Sequence, residues 1–179
     1  MRLGDDGWLE GVRRSASPNR DARPAGEAVS LLLLHAISLP CGEYGGSAIE
    51  ELFNNRLDCL AHPGFDPLRG LRVSAHFLIR RDGEIVQFVE VGARAWHAGA
   101  SRWRGRERCN DFSIGVELEG TDDSAFADAQ YAALARLIPA LRVRLPLTDF
   151  AAHSDAAPSR KTDPGVHFDW TRLLISLSA

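Results

Sequence analysis

No charge of one sign dominates the chain. Its 21 lysines and arginines face 24 acids, a formal charge of −3 over 179 residues. Nothing in that balance draws it to DNA, RNA or an anionic membrane. Cysteine is scarce and odd in number: Cys41, Cys59 and Cys109 are too few for a disulfide framework and suit a reducing compartment. Long apolar runs are missing. The longest near the amino terminus, Leu31 to Leu34, falls far short of the roughly 20 residues that span a bilayer. The first residues hold no apolar stretch ahead of a cleavage site. These absences predict a soluble cytoplasmic protein. Well-known catalytic signatures are absent too: there is no Walker loop, no Gly-x-Gly-x-x-Gly turn and no His-Glu-x-x-His helix. Nor is there a Gly-x-Ser-x-Gly elbow.

What is present is globular in character, with 45% hydrophobic and 25% charged residues, a composition able to bury one core without staples. No repeat or linker divides the chain, so residues 1–179 read as a single domain, and modest charge without repeats fits a monomer. Residues 1–28 are polar and rich in turn formers, and read as an ordered arm or loop. Val29–His35 is a short apolar run that suits a strand buried on both faces, with His35 at its end. Gly42, Gly45 and Gly46 make the next loop flexible, and loop motion over a cleft is expected there. Ser47 is placed to cap a helix over 47–54, with Glu50 three residues on. Arg72–Ile79 and Glu84–Val89 flank Asp82-Gly83, a strong hairpin signal. Phe112–Leu118 reads as another strand. Residues 128–145 have helical spacing, although Pro139 predicts a break. A strand over 150–153 ends at His153, and a closing helix spans 168–177. The class is α/β: a central mixed sheet flanked by helices.

The chemistry available is a scattered set. His35 and His153 both end apolar strands, where α/β sheets face their ligand crevices. With Asp163 they would bind zinc and leave a fourth position for water. Glu117 would take a proton and Lys161 would stabilise an oxyanion. Taken singly, each has a plain structural reading. Strand-end histidines are commonly hydrogen-bonded core groups, and Asp163 precedes Pro164-Gly165 as turn residues do. Glu117 and Glu119 share one strand period, so they face the same way.

Longer motifs carry a resemblance. His153 to Gly165 (HSDAAPSRKTDPG) with Phe168-Asp169-Trp170, Ser17-Pro18-Asn19, residues 71–87 (LRVSAHFLIRRDGEIVQ), 94–99 (RAWHAG) and 109–122 (CNDFSIGVELEGTD) occur in one order. Together they resemble the AmpD-type N-acetylmuramyl-L-alanine amidases, over about residues 8–172. The resemblance implies a fold like that of peptidoglycan recognition proteins. It also implies hydrolysis of the amide between the lactyl group of 1,6-anhydro-N-acetylmuramic acid and L-alanine, in cytoplasmic peptidoglycan recycling. The implied site is a zinc ion on His35, His153 and Asp163, Glu117 as the catalytic carboxylate and Lys161 at the transition state. Arg72 and Arg108 match positions that hold the peptide's carboxylates, and Trp96 and His97 match the loop lining the cleft. The chain departs from the family pattern at Ala36, where asparagine is common, and at Gly64, Ala152 and Val166-His167.

Two rivals are set against this reading. A non-catalytic muropeptide-binding module would not need the full set of five groups. An iron oxygenase would draw its triad from His153, Asp155 and His167. His76 reads as a hydrogen-bonded core residue and Cys109 as a packing thiol.

Overall fold

The computed structural model describes residues 1–178. Its ten strands are β1 (Arg13–Arg14), β2 (Arg20–Ala22), β3 (Leu31–Ile37), β4 (Phe77–Ile79), β5 (Ile85–Gln87), β6 (Ala93–Ala95), β7 (Arg102–Trp103), β8 (Arg106–Glu107), β9 (Ser113–Glu119) and β10 (Asp149–Ala152). Four α-helices accompany them: α1 (Ala48–Phe53), α2 (Asp128–Arg142), α3 (His153–Ala156) and α4 (Trp170–Ser178). Six strands form one sheet in the order β1-β5-β4-β9-β3-β10. Only β4 and β5 pair antiparallel there, through the expected hairpin; the other pairings are parallel. The sheet is therefore mixed and flanked by helices, as its sequence predicts.

Strand period divides the core. Leu32 and Leu34 of β3 join Ile114, Val116 and Leu118 of β9 in a cluster that packs Leu134, Leu137, Ile138 and Leu141 of α2. The alternate residues Leu31 and Leu33 pack on the opposite side with Ala98, Cys109, Phe112 and Ala151. All four leucines are fully buried, which is why the run is apolar without alternation. The second face also carries His35 and Glu117, paired in register across β3 and β9. Helix α1 closes one side of this face through Ile49, Leu52 and Phe53, packed with Leu78, Val86 and Phe88.

Several local expectations change. The segment 1–28 is more than an arm: β1 extends the large sheet, β2 pairs with β6, and Leu3 and Leu9 are buried in the core. Ser17 donates to the Phe53 carbonyl at 2.5 Å and Asn19 to those of Phe53 and Val73 at 3.1 and 2.8 Å, so the Ser-Pro-Asn motif ties the arm to the end of α1. Strand β3 runs two residues past His35. The strand expected over 72–79 is shortened to Phe77–Ile79, because Ser74 and His76 direct their amides to Trp96 and Gly115. Ser47 makes no cap bond; its hydroxyl donates to Glu51 at 2.7 Å. Pro139 sits inside an unbroken α2. It lies on the exposed face, where a carbonyl that loses its partner can turn to solvent.

Candidate metal centre and its cleft

Three remote segments deliver three donor atoms to one point. His35 comes from β3, His153 from the first position of α3 just after β10, and Asp163 from the loop that follows. His35 Nδ1 and His153 Nδ1 are 2.9 Å apart, and Asp163 Oδ2 lies 3.2 and 3.1 Å from them. Burial holds His35 down to a pKa of about 4, against the opposing pull of Asp163. Burial pushes the Asp163 carboxyl up, but its bonds to His153 and His35 outweigh that and leave it below the usual range. His35 is thus biased toward neutral imidazole and Asp163 toward carboxylate, the states in which each can bind a divalent metal.

The chemistry of the donor set fits zinc. His153 Nε2 points at the Ala98 carbonyl, 3.2 Å away. A carbonyl only accepts, so the ring proton sits on Nε2 and Nδ1 presents a lone pair to the cluster. Asp163 presents lone pairs alone. Two imidazole nitrogens and one carboxylate oxygen make a three-ligand site of the open kind.

The loop that carries Asp163 is locked from behind. Gly165 has φ +85° and packs so closely that a Cβ there would lie 2.1 Å from the Asp122 carbonyl oxygen. Thr162 adds a hydrogen bond to the Asp122 carboxylate. The Asp-Pro-Gly run is therefore both a turn and the mount that holds the Asp163 carboxylate against the two histidines.

Around the donors lies a cavity of about 220 Å³ whose lining includes Glu117, Lys161 and His97, with an apolar wall of Leu39, Leu52, Phe53 and Leu71. Glu117 is buried, and its Oε2 has no hydrogen-bond partner. Burial, reinforced by Asp163 and opposed by Lys161, pushes its carboxyl well above the ordinary range. Lys161 is the single lysine in a chain that otherwise uses arginine. That bias is a signal visible without a structure, since lysine presents a compact point charge where arginine presents a planar fork.

The remaining expected site residues lie further out. Arg72 is exposed and lines an adjoining groove that shares Leu52, Leu68 and Leu71 with the cleft. Arg108 is 69% exposed, lies 3.2 Å from the Asp111 carboxylate, and lines a separate groove beside α3. Trp96 is half-buried and is not among the residues that line the cleft. His97 lines the cleft, but its Nδ1 faces His35 Nε2 at 2.9 Å. Asp155 accepts from the Ala152 amide at 2.9 Å and His167 is exposed, so the oxygenase triad is not assembled. His76 is fully buried and accepts from the Gly115 amide at 3.0 Å, as a core histidine should.

Residues 25–166 match the family model described as N-acetylmuramoyl-L-alanine amidase. The chain is 55% identical over 176 residues to the 1,6-anhydro-N-acetylmuramyl-L-alanine amidase AmpD of Escherichia coli K12, covering 97% of this chain and 96% of that one. A crystal structure of a selenomethionine derivative of AmpD superposes with a TM-score of 0.96 at 55% identity, over 99% of both chains. The E. coli amidase AmiD, solved in complex with the substrate anhydro-N-acetylmuramic acid-L-Ala-D-γ-Glu-L-Lys, superposes with a TM-score of 0.61 at 31% identity, over 88% of this chain and 60% of that one.

Proposed function

Since the chain belongs to the N-acetylmuramoyl-L-alanine amidase family, we propose that it cleaves the amide joining the lactyl group of 1,6-anhydro-N-acetylmuramic acid to L-alanine. Zinc on His35, His153 and Asp163 is the cofactor of this reading. One observation carries it: three donor atoms within 3.2 Å of one another, beside a buried glutamate oxygen that nothing in the fold satisfies.

Zinc bound there supplies Lewis acidity, polarising the amide carbonyl and acidifying water. The protein supplies the rest. Glu117 Oε2, free of partners, accepts the proton of the attacking water and returns it to the leaving nitrogen of L-alanine. Its displaced pKa brings the carboxylate closer to the basicity of the groups it serves. The Lys161 ammonium stabilises negative charge as it grows on the carbonyl oxygen. The apolar wall excludes water from the far side of the cleft, which strengthens both charges. Arg72, exposed on the adjoining groove, and Arg108, exposed on a separate one, present guanidinium forks for the carboxylates of the stem peptide, and Trp96 is assigned to the same substrate-binding set.

The reading places the enzyme in the cytoplasm, acting as a monomer on recycled anhydro-muropeptides. Its three cysteines are free, as a reducing compartment requires. No helix among the described residues is long and apolar enough to cross a membrane. The rival of a non-catalytic binding module leaves the unsatisfied Glu117 oxygen without a task.

The test is product analysis by mass spectrometry. Purified protein incubated with anhydro-muramyl tripeptide should release free tripeptide, lose that activity to a chelator and regain it with zinc. Release undiminished after metal removal contradicts the zinc reading, and no release from the zinc-loaded protein contradicts the reaction.

A further inference from the structure

Behind His35 runs a chain of hydrogen bonds that ends on the backbone. The Ser113 hydroxyl donates to the Cys109 carbonyl at 2.6 Å. Its proton is thereby committed, so toward His97 Nε2, 3.2 Å away, it offers only lone pairs. The His97 proton therefore sits on Nε2, and His97 Nδ1 is left as an acceptor. That Nδ1 lies 2.9 Å from His35 Nε2, which must donate to it. The other nitrogen of His35, Nδ1, then has no proton and faces His153 and Asp163 with a lone pair. A buried serine on the neighbouring strand, 78 positions from His35 in the sequence, thus selects the metal-binding tautomer.

The relay is built into the sheet. The His97 ring lies over Gly115 so closely that a Cβ on that glycine would meet it at 2.4 Å. The His97 and Ala98 amides both donate to Asn110 Oδ1, at 3.1 and 2.8 Å. The Ala98 carbonyl, which fixes His153, is also held by Arg160 at 2.7 Å. One short segment therefore orients both histidines: His35 through a side chain and His153 through a carbonyl.

We propose that His97 is a positioning residue of the metal centre, acting through His35 with Ser113 as its anchor. This rests on the preceding reading that the cluster binds zinc. An outer partner of this kind sets ring orientation and ligand basicity, and its loss weakens metal binding by about 10–100-fold.

The experiment measures zinc affinity of the metal-free protein by competition with a chromophoric chelator. Native folding is checked by circular dichroism. His97→Ala should bind zinc about 10–100-fold more weakly, and Ser113→Ala, which deletes one hydroxyl, should shift affinity the same way by less. His97→Asn, which returns an acceptor near the position of Nδ1, should recover most of the loss. Parent affinity in both His97→Ala and Ser113→Ala overturns the proposal, most pointedly if KM for the anhydro-muropeptide rises instead. An Asn variant as impaired as the Ala variant also counts against it. Failure of the parent protein to bind zinc would sink the functional reading as well, whereas unchanged affinity in folded variants sinks this inference alone.

Discussion

Glu117 and Glu119 stand two residues apart on β9, on one face of the sheet, and both are buried. Their surroundings differ completely. Glu119 accepts from Gly45 N at 2.7 Å, Arg80 at 2.9 Å and Arg81 N at 3.1 Å. Arg80 continues to Glu50 at 2.8 Å, and Glu50 to Arg13 at 2.7 Å. Glu119, Arg80, Glu50 and Arg13 thus form one continuous chain of ion pairs. Glu117 has an oxygen with no partner and the His35, His153 and Asp163 cluster next door. The larger of the two cavities, about 460 Å³, is on the satisfied side, and the proposed chemistry occupies the smaller one. Cavity size is therefore a poor guide here. Under the proposed function the unsatisfied carboxylate is the working one and the satisfied carboxylate the structural one.

This contrast can be broken by substitution. Glu117→Gln should keep bound zinc and lose about 10²–10⁴-fold in turnover, the range for removing a general base. A variant that loses its zinc, or keeps its rate, would erase the distinction. Glu119→Ala should do the opposite. It strips Arg80 of the buried one of its two carboxylate partners, and should lower stability in urea by about 3 kcal/mol, while folded molecules keep most of their turnover. The smallest effect sharpens the comparison most. Because the native state raises the Glu117 pKa above its ordinary 4.5, ionising that group opposes folding. In the metal-free protein, Glu117→Gln should then raise stability at pH 7 by about 1–3 kcal/mol. The gain should fade as pH falls below 4.5, where the parent carboxyl is protonated in both states. A gain that persists at low pH would assign the effect to packing instead.

The sequence conveys one side of this contrast better than the other. Apolar continuity in Leu31–Leu34 marks a strand buried on both faces, and Asp82-Gly83 marks the hairpin, because both are local signals. The convergence of His35, His153 and Asp163 is foreshadowed by long motifs, and Asp163 sits in a turn whose glycine is sterically required. Period alone places Glu117 and Glu119 on one face and stops there. Which of them is satisfied depends on Arg80 and Gly45, some 35 to 75 positions away in the chain. The strands within 1–28 are two and three residues long, too short to show a period. His97 illustrates the same limit. Its motif suggests a cleft wall, but its role depends on a serine whose hydroxyl direction is set by a carbonyl of another segment. Pro139 misleads because breaking a helix depends on which face the proline occupies.

The central claim is that His35, His153 and Asp163 converge on one zinc ion beside an unsatisfied Glu117. Elemental analysis of the purified parent protein and its Asp163→Ala variant tests it most directly. The account predicts about one zinc per chain in the parent and essentially none in the variant. A folded variant that retains its zinc, or a parent that carries iron or no metal after zinc loading, would contradict it.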